Sequence, residues 1–270
     1  MADLTTVARV KEWVGIPADK TESEPLIARL ISAVSRAILN YLNRPNLAKA
    51  TYVRSFSGVG NTSVMLKDFP VTSINALMVG GVNIPAAVNQ TSLGYVFPAW
   101  DGYCPGGSQL LMLRGYSFPV GQLNATIEYV AGYFVEAEEH RIPDVTEFDV
   151  AVDAEQGKWS SDLGVVYEAD GAAFIKVDED PDEGEYSVED GVYTFNELDA
   201  DVLVLISYNY VPADIENACI EIVGERFRAK DRIGVNSKTL AGQETISYTT
   251  ADMNRFTRMA LDPYKRVVLG

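Results

Sequence analysis

The chain has 270 residues, of which 47% are hydrophobic, so it is long enough to bury more than one core. Its formal net charge of −16 disfavours a protein that grips nucleic acid through the phosphates, because such binding needs clustered lysine and arginine. No apolar run approaches the roughly 20 residues of a membrane span, and the N-terminus lacks a signal-peptide layout, which predicts a protein made in a reducing cytosol without membrane association.

Two predicted helices open the chain. Apolar residues at helical spacing predict a short helix over residues 3–14, ended by Gly15 and Pro17. A longer helix is predicted between Pro25 and the break at residues 43–45. Its apolar stripe consists of Ile27, Leu30, Ile31, Val34, Ile38 and Leu42.

The middle of the chain is predicted to form short strands. In residues 51–134 the β-like runs are 51–57, 63–66, 74–79, 110–113 and 125–129. In residues 135–204 and just beyond they are 148–152, 164–167, 173–177, 185–188, 192–195 and 202–208. The pairs Asp170-Gly171 and Asp190-Gly191 are typical of hairpin turns.

A long helix is predicted from Pro212 to about residue 233, with Gly234 as a candidate C-terminal cap. Its apolar face carries Ile215, Ala218, Cys219, Ile222, Val223 and Phe227, and its charged side carries Glu216, Glu221, Glu225, Arg228 and Lys230. Since Cys219 lies on the apolar face and Cys104 is the only other cysteine, a buried free thiol is favoured over a disulfide.

Residues 234–270 are predicted to be an extended arm, because their polar and small residues cannot build a core. Residues 244–249 can pair as a strand. Thr250 with Asp252 is predicted to cap a short helix that carries Met253, Phe256 and Met259 and ends at Asp262-Pro263. Residues 226–270 hold 9 basic and 4 acidic residues, whereas residues 136–201 hold 22 acidic and 3 basic ones.

The stripe of the second helix needs a partner of similar length, and the helix after Pro212 is the best candidate. The predicted fold class is therefore α+β: a small helical bundle formed by the N- and C-terminal segments, one or two inserted β domains and an extended C-terminal arm. The predicted parts are the N-terminal helices 1–50, a β module 51–134, an acidic β insertion 135–204, a closing strand and helix 205–233, and the arm 234–270.

The sequence gives little support for catalysis or for cofactor binding. His140 is the single histidine and is interpreted as a surface residue, which leaves no His-based triad or multi-His metal cluster. Residues 102–107 form a turn cluster without the helix and lysine of a phosphate loop. We therefore expect no enzyme activity and no cofactor.

Two clusters allow alternatives. The acidic run 178–185 is interpreted as a solvated loop, with calcium binding as the alternative, because Asp178, Asp180 and Asp182 alternate and Glu189 follows. Tyrosines in or beside the predicted strands favour cross-strand packing over base stacking. They are Tyr129, Tyr133, Tyr186, Tyr193, Tyr208 and Tyr210.

A family resemblance lies at both ends of the chain. The sequence PADIENACIEIVGERFRAKDRIGVNSKTLAGQETISY from Pro212, with the closing LDPYKRVV, resembles the head–tail connector (adaptor) proteins of tailed bacteriophages and prophages. The segments DLTTVARVKEWVGI and LIARLISAVSRAILNYLNRP are similar to the opening helices of that family. In the family, a strand like residues 124–133 leads almost directly to the Pro-x-Asp helix, so residues 135–204 depart from the pattern as an added domain.

The resemblance implies a structural virion protein of the head–tail neck, assembled in the host cytoplasm. It implies a ring of about twelve copies beneath the portal protein, a platform for the next neck or tail completion protein, and a lumen through which genomic double-stranded DNA passes without sequence-specific binding. The predicted body helices are those of Ile31 and Ile222. The predicted portal-docking residues are Ser237, Lys238, Thr239, Gln243, Tyr248, Arg255, Phe256, Tyr264, Lys265 and Arg266.

A second hypothesis is a monomeric binding protein that uses its β modules on a host surface or a carbohydrate. Aromatic residues on β modules allow it. Rings in the presence of portal favour the connector, whereas persistent monomers that bind glycans favour the binding module. A hydrolase is disfavoured because no nucleophile and base pair stands out.

Overall fold

A computed structural model describes residues 3–97, 109–152, 157–230 and 253–266, and the backbone of residues 237–240 and 244–247. Two compact units result. The helical unit comprises Met1–Asn46, Gln156–Lys158 and Pro212–Lys265, and the sheet unit comprises Leu47–Glu155, Trp159–Val211 and Arg266–Gly270. The α+β class is confirmed, and the domain boundaries given above stay a prediction.

The helical unit begins with α1, Val7–Val14, and α2, Glu24–Tyr41. The side chain of Thr6 caps α1 by accepting a hydrogen bond from the Arg9 N–H, and Gly15 ends it with φ of 77°, a left-handed conformation that glycine adopts without steric cost. Pro25 lies in the first turn of α2, where its missing N–H costs no hydrogen bond. The end of α1 at Gly15 and the start of α2 at Pro25 are as the sequence predicts, whereas α1 begins at Val7 and not at residue 3.

Helix α3, Ala213–Ala229, contacts the other helices of its unit. The Ser35 hydroxyl of α2 lies 3.8 Å from Cys219 Sγ of α3, and both groups are buried. Trp13 of α1 packs against Gly224, where an added Cβ would come within 3.0 Å of the indole ring. The predicted end near residue 233 and the cap Gly234 lie outside the described residues.

Helix α4, Arg255–Leu261, is followed by a 3-10 turn, Asp262–Tyr264. Its cap is Asn254, whose side chain accepts a hydrogen bond from the Thr257 N–H, and not the predicted pair Thr250 and Asp252, which lie outside the described residues. The short helix predicted to end at Asp262-Pro263 is confirmed as α4, and it packs against α3. The wider arm, residues 234–270, stays a prediction.

The first part of the sheet unit shows seven strands in its described residues: β1 Ala50–Gly58, β2 Ser63–Met65, β3 Val71–Val79, β4 Val82–Asn83, β5 Gly94–Val96, β6 Leu110–Arg114 and β7 Gly121–Ala131. They form the sheets β1-β7-β3-β4 and β2-β6-β5. Alternate side chains of these strands share one hydrophobic cluster, which includes Leu77, Leu111, Phe118, Ile127 and Tyr129.

Seven further strands lie in residues 134–152 and 157–212 of the second part: β8 Phe134–Arg141, β9 Asp149–Ala151, β10 Gly157–Tyr167, β11 Ile175–Lys176, β12 Glu185–Glu189, β13 Val192–Phe195 and β14 Leu203–Pro212. They form the sheets β10-β14-β8 and β11-β12-β13-β9. A separate cluster holds their core, and it includes Ile142, Tyr186, Tyr193, Ile206 and Tyr208. The predicted turn Asp190-Gly191 connects β12 to β13, with positive φ at both residues, as a two-residue hairpin requires.

The sequence did not predict β4, β5 and β8. Strand β8 carries Glu136, Glu138 and Glu139, and it pairs with β14 through backbone hydrogen bonds. Its charged side chains hide the apolar alternation on which a strand prediction depends. A hairpin of β15, Ser237–Leu240, and β16, Glu244–Ser247, completes the described strands. Within the described ranges, no helix is long and apolar enough to cross a membrane.

The buried stripe of α2 gives a stability prediction. Ile31 is 1% exposed, so Ile31→Ala removes packed methyl groups and leaves a cavity, and we expect a loss of about 2–5 kcal/mol in the free energy of unfolding. Urea denaturation measures the change. The matched control is Arg29→Ala at an exposed position of the same helix, for which a change within about 0.5 kcal/mol is expected. Equal effects for the two variants would contradict the assigned helix face.

Candidate functional site

The predicted body helices bury the expected side chains. Ile27, Ile31, Val34, Ile38, Ile215, Cys219, Ile222 and Val223 are buried, and Leu30 and Phe227 are half-buried. The sequence predicts Glu216 on the charged, solvated side of the helix, but the structure buries this residue, which is 3% exposed. Thr5 donates a hydrogen bond to its carboxylate at 3.2 Å, and Arg9 lies 3.5 Å away. Burial raises the pKa of Glu216, and the charge of Arg9 opposes the rise.

Lys11 of α1 is a second buried charge that sequence reasoning missed. Its Nζ donates to a Glu24 carboxylate oxygen at 2.7 Å and to the Ala18 carbonyl at 2.8 Å. Lys11 is 4% exposed, so these two hydrogen bonds replace the ones that its ammonium group makes with water when exposed. The contact connects α1, the loop after it and the start of α2.

The inner side of α4 contacts its own helical unit. Thr257 is 1% exposed, and its hydroxyl donates to a Glu221 carboxylate oxygen at 2.8 Å. Leu261 is fully buried. Phe256 and Met259 are 68% and 63% exposed. The predicted apolar stripe of this helix therefore faces solvent, and a threonine and a leucine form the side that packs.

Tyr264, a predicted docking residue, is an internal contact of the helical unit. Its hydroxyl donates to Asp214 Oδ2 at 3.0 Å, and its carbonyl accepts from Arg44 Nε at 2.9 Å. Tyr41 donates a hydrogen bond to Asp262, which raises the pKa of that tyrosine. Lys265 Nζ lies 4.4 Å from the centre of the Tyr41 ring. These contacts hold the turn after α4 against α2 and α3.

Arg266, another predicted docking residue, belongs to a charge cluster in the sheet unit. Its guanidinium lies 3.4 Å from Asp68 Oδ1, and Arg54 Nε lies 2.9 Å from Asp68 Oδ2. Tyr129 donates to Asp68 Oδ2 at 2.8 Å. Burial by itself would raise the pKa of Asp68, but the hydrogen bonds from Arg54 and Tyr129 and the two arginine charges lower it below the ordinary value.

The remaining predicted docking residues are only partly described. Ser237, Lys238 and Thr239 lie in β15, for which the backbone is described, and Arg255 opens α4. Gln243 and Tyr248 lie outside the described residues, as do Cys104 and the turn cluster 102–107. The structure thus brings Lys265 together with Tyr41 of α2 and Tyr264 together with Asp214 of α3, while Phe256 and Met259 of α4 are exposed.

The tyrosines predicted to pack between strands are buried in the cores, which confirms that interpretation over base stacking. Tyr186 and Tyr193 stack with ring centres 5.8 Å apart, and their hydroxyls donate to the two oxygens of Asp162 at 2.7 and 3.1 Å. Lys176 lies 3.3 Å from Asp162. Burial, together with Asp162, raises the pKa of both tyrosines, so the hydroxyls stay protonated donors. Sequence reasoning missed this centre.

No group of three or more His, Cys, Asp or Glu side chains that could hold a metal is found among the described residues. The calcium candidates Asp178, Asp180, Asp182 and Glu189 do not form such a group. Within the acidic loop, a Glu185 carboxylate oxygen accepts a hydrogen bond from the Asp182 N–H at 3.1 Å. His140 is half-buried, and its Nε2 lies 3.3 Å from a Glu138 carboxylate oxygen, so it is a partly covered residue and not a fully exposed one.

Comparison with known proteins gives one family match. Residues 3–103 match the model of the family described as "Head completion protein". The matched segment includes α1, α2 and the first strands of the sheet unit. The match confirms the resemblance to phage head–tail connector and completion proteins over this segment, which is 101 of the 270 residues. The class of protein to which the segment is similar is that of structural proteins of the phage head. Within that class, the family matched is the head completion protein family.

No curated protein matches the chain. Among solved structures, a chain described as "Neck of empty GTA particle computed with C6 symmetry" is 11% identical, with 98% of this chain and 91% of that chain covered and a TM-score of 0.34. A TM-score this low does not establish a common fold.

The Asp68 cluster predicts an acid-dependent loss of stability. The folded pKa of Asp68 lies below its unfolded value, so the carboxylate contributes stability above the unfolded pKa, about 3.9, and this contribution is lost as the pH falls through the folded pKa. Asp68→Asn is expected to cost about 1–3 kcal/mol at pH 7 and to flatten the stability profile below about pH 4. Urea denaturation from pH 3 to 7 measures both effects. Asp144→Asn, at an exposed residue, is the control, and an equal loss there would contradict a specific role of the cluster.

Cys219 is predicted to be an unreactive thiol. Burial raises its pKa to about 12, only partly offset by Ser35, so the thiolate fraction at pH 8 is about a thousandfold lower than for an unperturbed cysteine. In a Cys104→Ser background, which leaves one thiol, we expect slow reaction with Ellman's reagent in native protein and rapid reaction in guanidinium chloride. Rapid reaction of the native protein would contradict the burial of Cys219 between α2 and α3.

Proposed function

We propose that the protein is a head-to-tail adaptor of a tailed phage or prophage. Copies form a ring beneath the portal, join the head to the tail and let genomic DNA pass through the centre. The observation that carries the proposal is the match of residues 3–103 to the head completion protein family. The ring of about twelve copies, the portal and the next neck or tail component come from the resemblance of both chain ends to connector proteins.

Charge supports passage of DNA without adhesion. The formal net charge of −16 repels phosphate at a distance, and residues 136–201 carry most of the acidic excess. Sequence-specific binding requires side chains that reach base edges and a positive surface that holds the backbone. A net-acidic neck protein is therefore suited to a channel through which DNA moves.

The outer side of α4 is the part of the C-terminal segment that we assign to portal contact. Its inner side is already occupied, because Thr257 and Leu261 pack against the protein's own helices. Phe256 and Met259 remain exposed on a helix that Asn254 caps and Tyr264 holds in place. Exposed aromatic and methionine side chains on a fixed element are typical anchors of protein interfaces.

The test is the double variant Phe256→Ser with Met259→Ser in the full chain. Because both side chains are exposed, we expect the free energy of unfolding to change by less than about 1 kcal/mol. Binding to portal, measured by co-sedimentation with the portal from the same genome, is expected to fall at least about tenfold, as loss of anchoring side chains does. Electron microscopy of the wild-type mixture tests for rings.

Leu261→Ala is the matched control, since it truncates the buried side of the same helix. It is expected to lower the free energy of unfolding by about 2–5 kcal/mol while both exposed side chains are kept. Unchanged portal binding by the double variant would remove α4 from the interface. Absence of any wild-type complex with portal would reject the adaptor function itself.

A further inference from the structure

Among the described residues, the strands β15 and β16 pair only with each other. Ser237 pairs with Ser247, and Leu240 pairs with Glu244, so the two strands satisfy only the backbone groups between them. Within the described residues, no third strand joins either side, and the hairpin forms a two-stranded sheet of its own. An isolated two-stranded hairpin is marginally stable in water, and a third strand is what makes such a unit stable. The hairpin can therefore pair with the edge strand of another sheet, and we call it the donor in that pairing.

Strand β1 is a complementary acceptor at the edge of the sheet β1-β7-β3-β4. It has nine residues, its pairing with β7 is regular from Ala50 to Phe56, and it contains no proline. An edge strand presents a row of backbone groups that its own sheet does not use. Arg54 is the one charged residue within it, so it has few of the features that protect edges from pairing.

The other long edges are better protected. β8 carries three glutamates and has a positive φ at Ala137, which interrupts regular pairing geometry. β3 is not an edge over its full length, because it lies between β7 and β4, and its pairing with β7 shifts register on both sides of Ile74. β10 contains Gly164 with φ of 120° and the charged residues Lys158 and Asp162. Among the edges in the described part of the chain, β1 is thus the long regular one without such interruptions.

We propose that the β15–β16 hairpin of one copy adds to the β1 edge of a neighbouring copy. Each copy then carries one donor, in the helical unit, and one acceptor, in the sheet unit. A contact between two different segments of neighbouring copies is heterologous, and such contacts close into rings when the rotation allows. Backbone hydrogen bonds supply the contact, as in other cases of strand addition. The inference rests on the proposed ring and names the surfaces that build it.

The experiment places a photo-cross-linking amino acid, p-benzoylphenylalanine, at Thr245 in β16 of the full-length protein. Under conditions of ring assembly with portal, irradiation is expected to give a dimer of this chain. Mass spectrometry of tryptic peptides is expected to locate the cross-link in residues 50–54 or 55–67, the peptides that contain β1. The same amino acid at Val88, which is 86% exposed in a loop of the sheet unit, is the control and is expected to give no such product.

A pair of variants tests the backbone character of the contact. Thr239→Pro in the cross-linker chain removes a backbone donor and is expected to lower the yield of the dimer at least about tenfold, whereas Thr239→Ala keeps the donor and is expected to preserve it. Equal yields for the two variants would overturn strand addition.

The outcomes separate the two proposals. Rings whose cross-links go to portal, or to a part of this chain other than β1, overturn the inference and leave the adaptor function standing. Cross-links to β1 without rings support the pairing and reject the ring. The absence of both rings and cross-links rejects both proposals.

Discussion

The helical unit depends on one buried contact, the meeting of α2 and α3 at Ser35 and Cys219. The Ser35 hydroxyl lies 3.8 Å from the Cys219 sulfur and also accepts a hydrogen bond from the Leu4 N–H at 3.0 Å. Three segments of the chain therefore meet at one small side chain in an apolar environment. A buried polar group needs a partner, so this arrangement fixes the positions of the segments as well as their proximity. α1 and α4 then pack on the surfaces of α3 that remain.

The multiple contacts of α3 explain what the sequence predicted and what it did not. The spacing of Ile215, Cys219 and Val223 predicts a buried face, and these residues are buried. Helical periodicity assumes one apolar stripe with a solvated opposite side. A helix contacted by three others is buried over a wider arc, which includes Glu216, and a carboxylate in that arc acquires partners instead of water. No pattern in the sequence marks such a residue.

The same limitation applies to the sheets and to the C-terminal segment. Regular strands with β-branched and aromatic residues, such as β1 and β13, are predictable from composition. β8 is rich in glutamate, and it forms a strand because its backbone pairs with β14. In the C-terminal segment, the sequence predicts a short helix but not the side on which it packs. Thr257 and Tyr264 bond to Glu221 and Asp214 of α3, which lie far away in sequence, and Leu261 is buried. Tertiary contacts decide these elements, and local sequence does not contain them.

The separation of Ser35 and Cys219, 184 positions along the chain, has a consequence for biosynthesis. A ribosome that adds about 5–20 residues per second delivers α2 roughly 10–40 seconds before α3. During this interval the apolar face of Ile27, Ile31 and Ile38 has no native partner from α3, while the whole sheet unit between them emerges and can fold. The nascent N-terminal helices therefore keep an apolar face without its α3 partner until synthesis reaches α3.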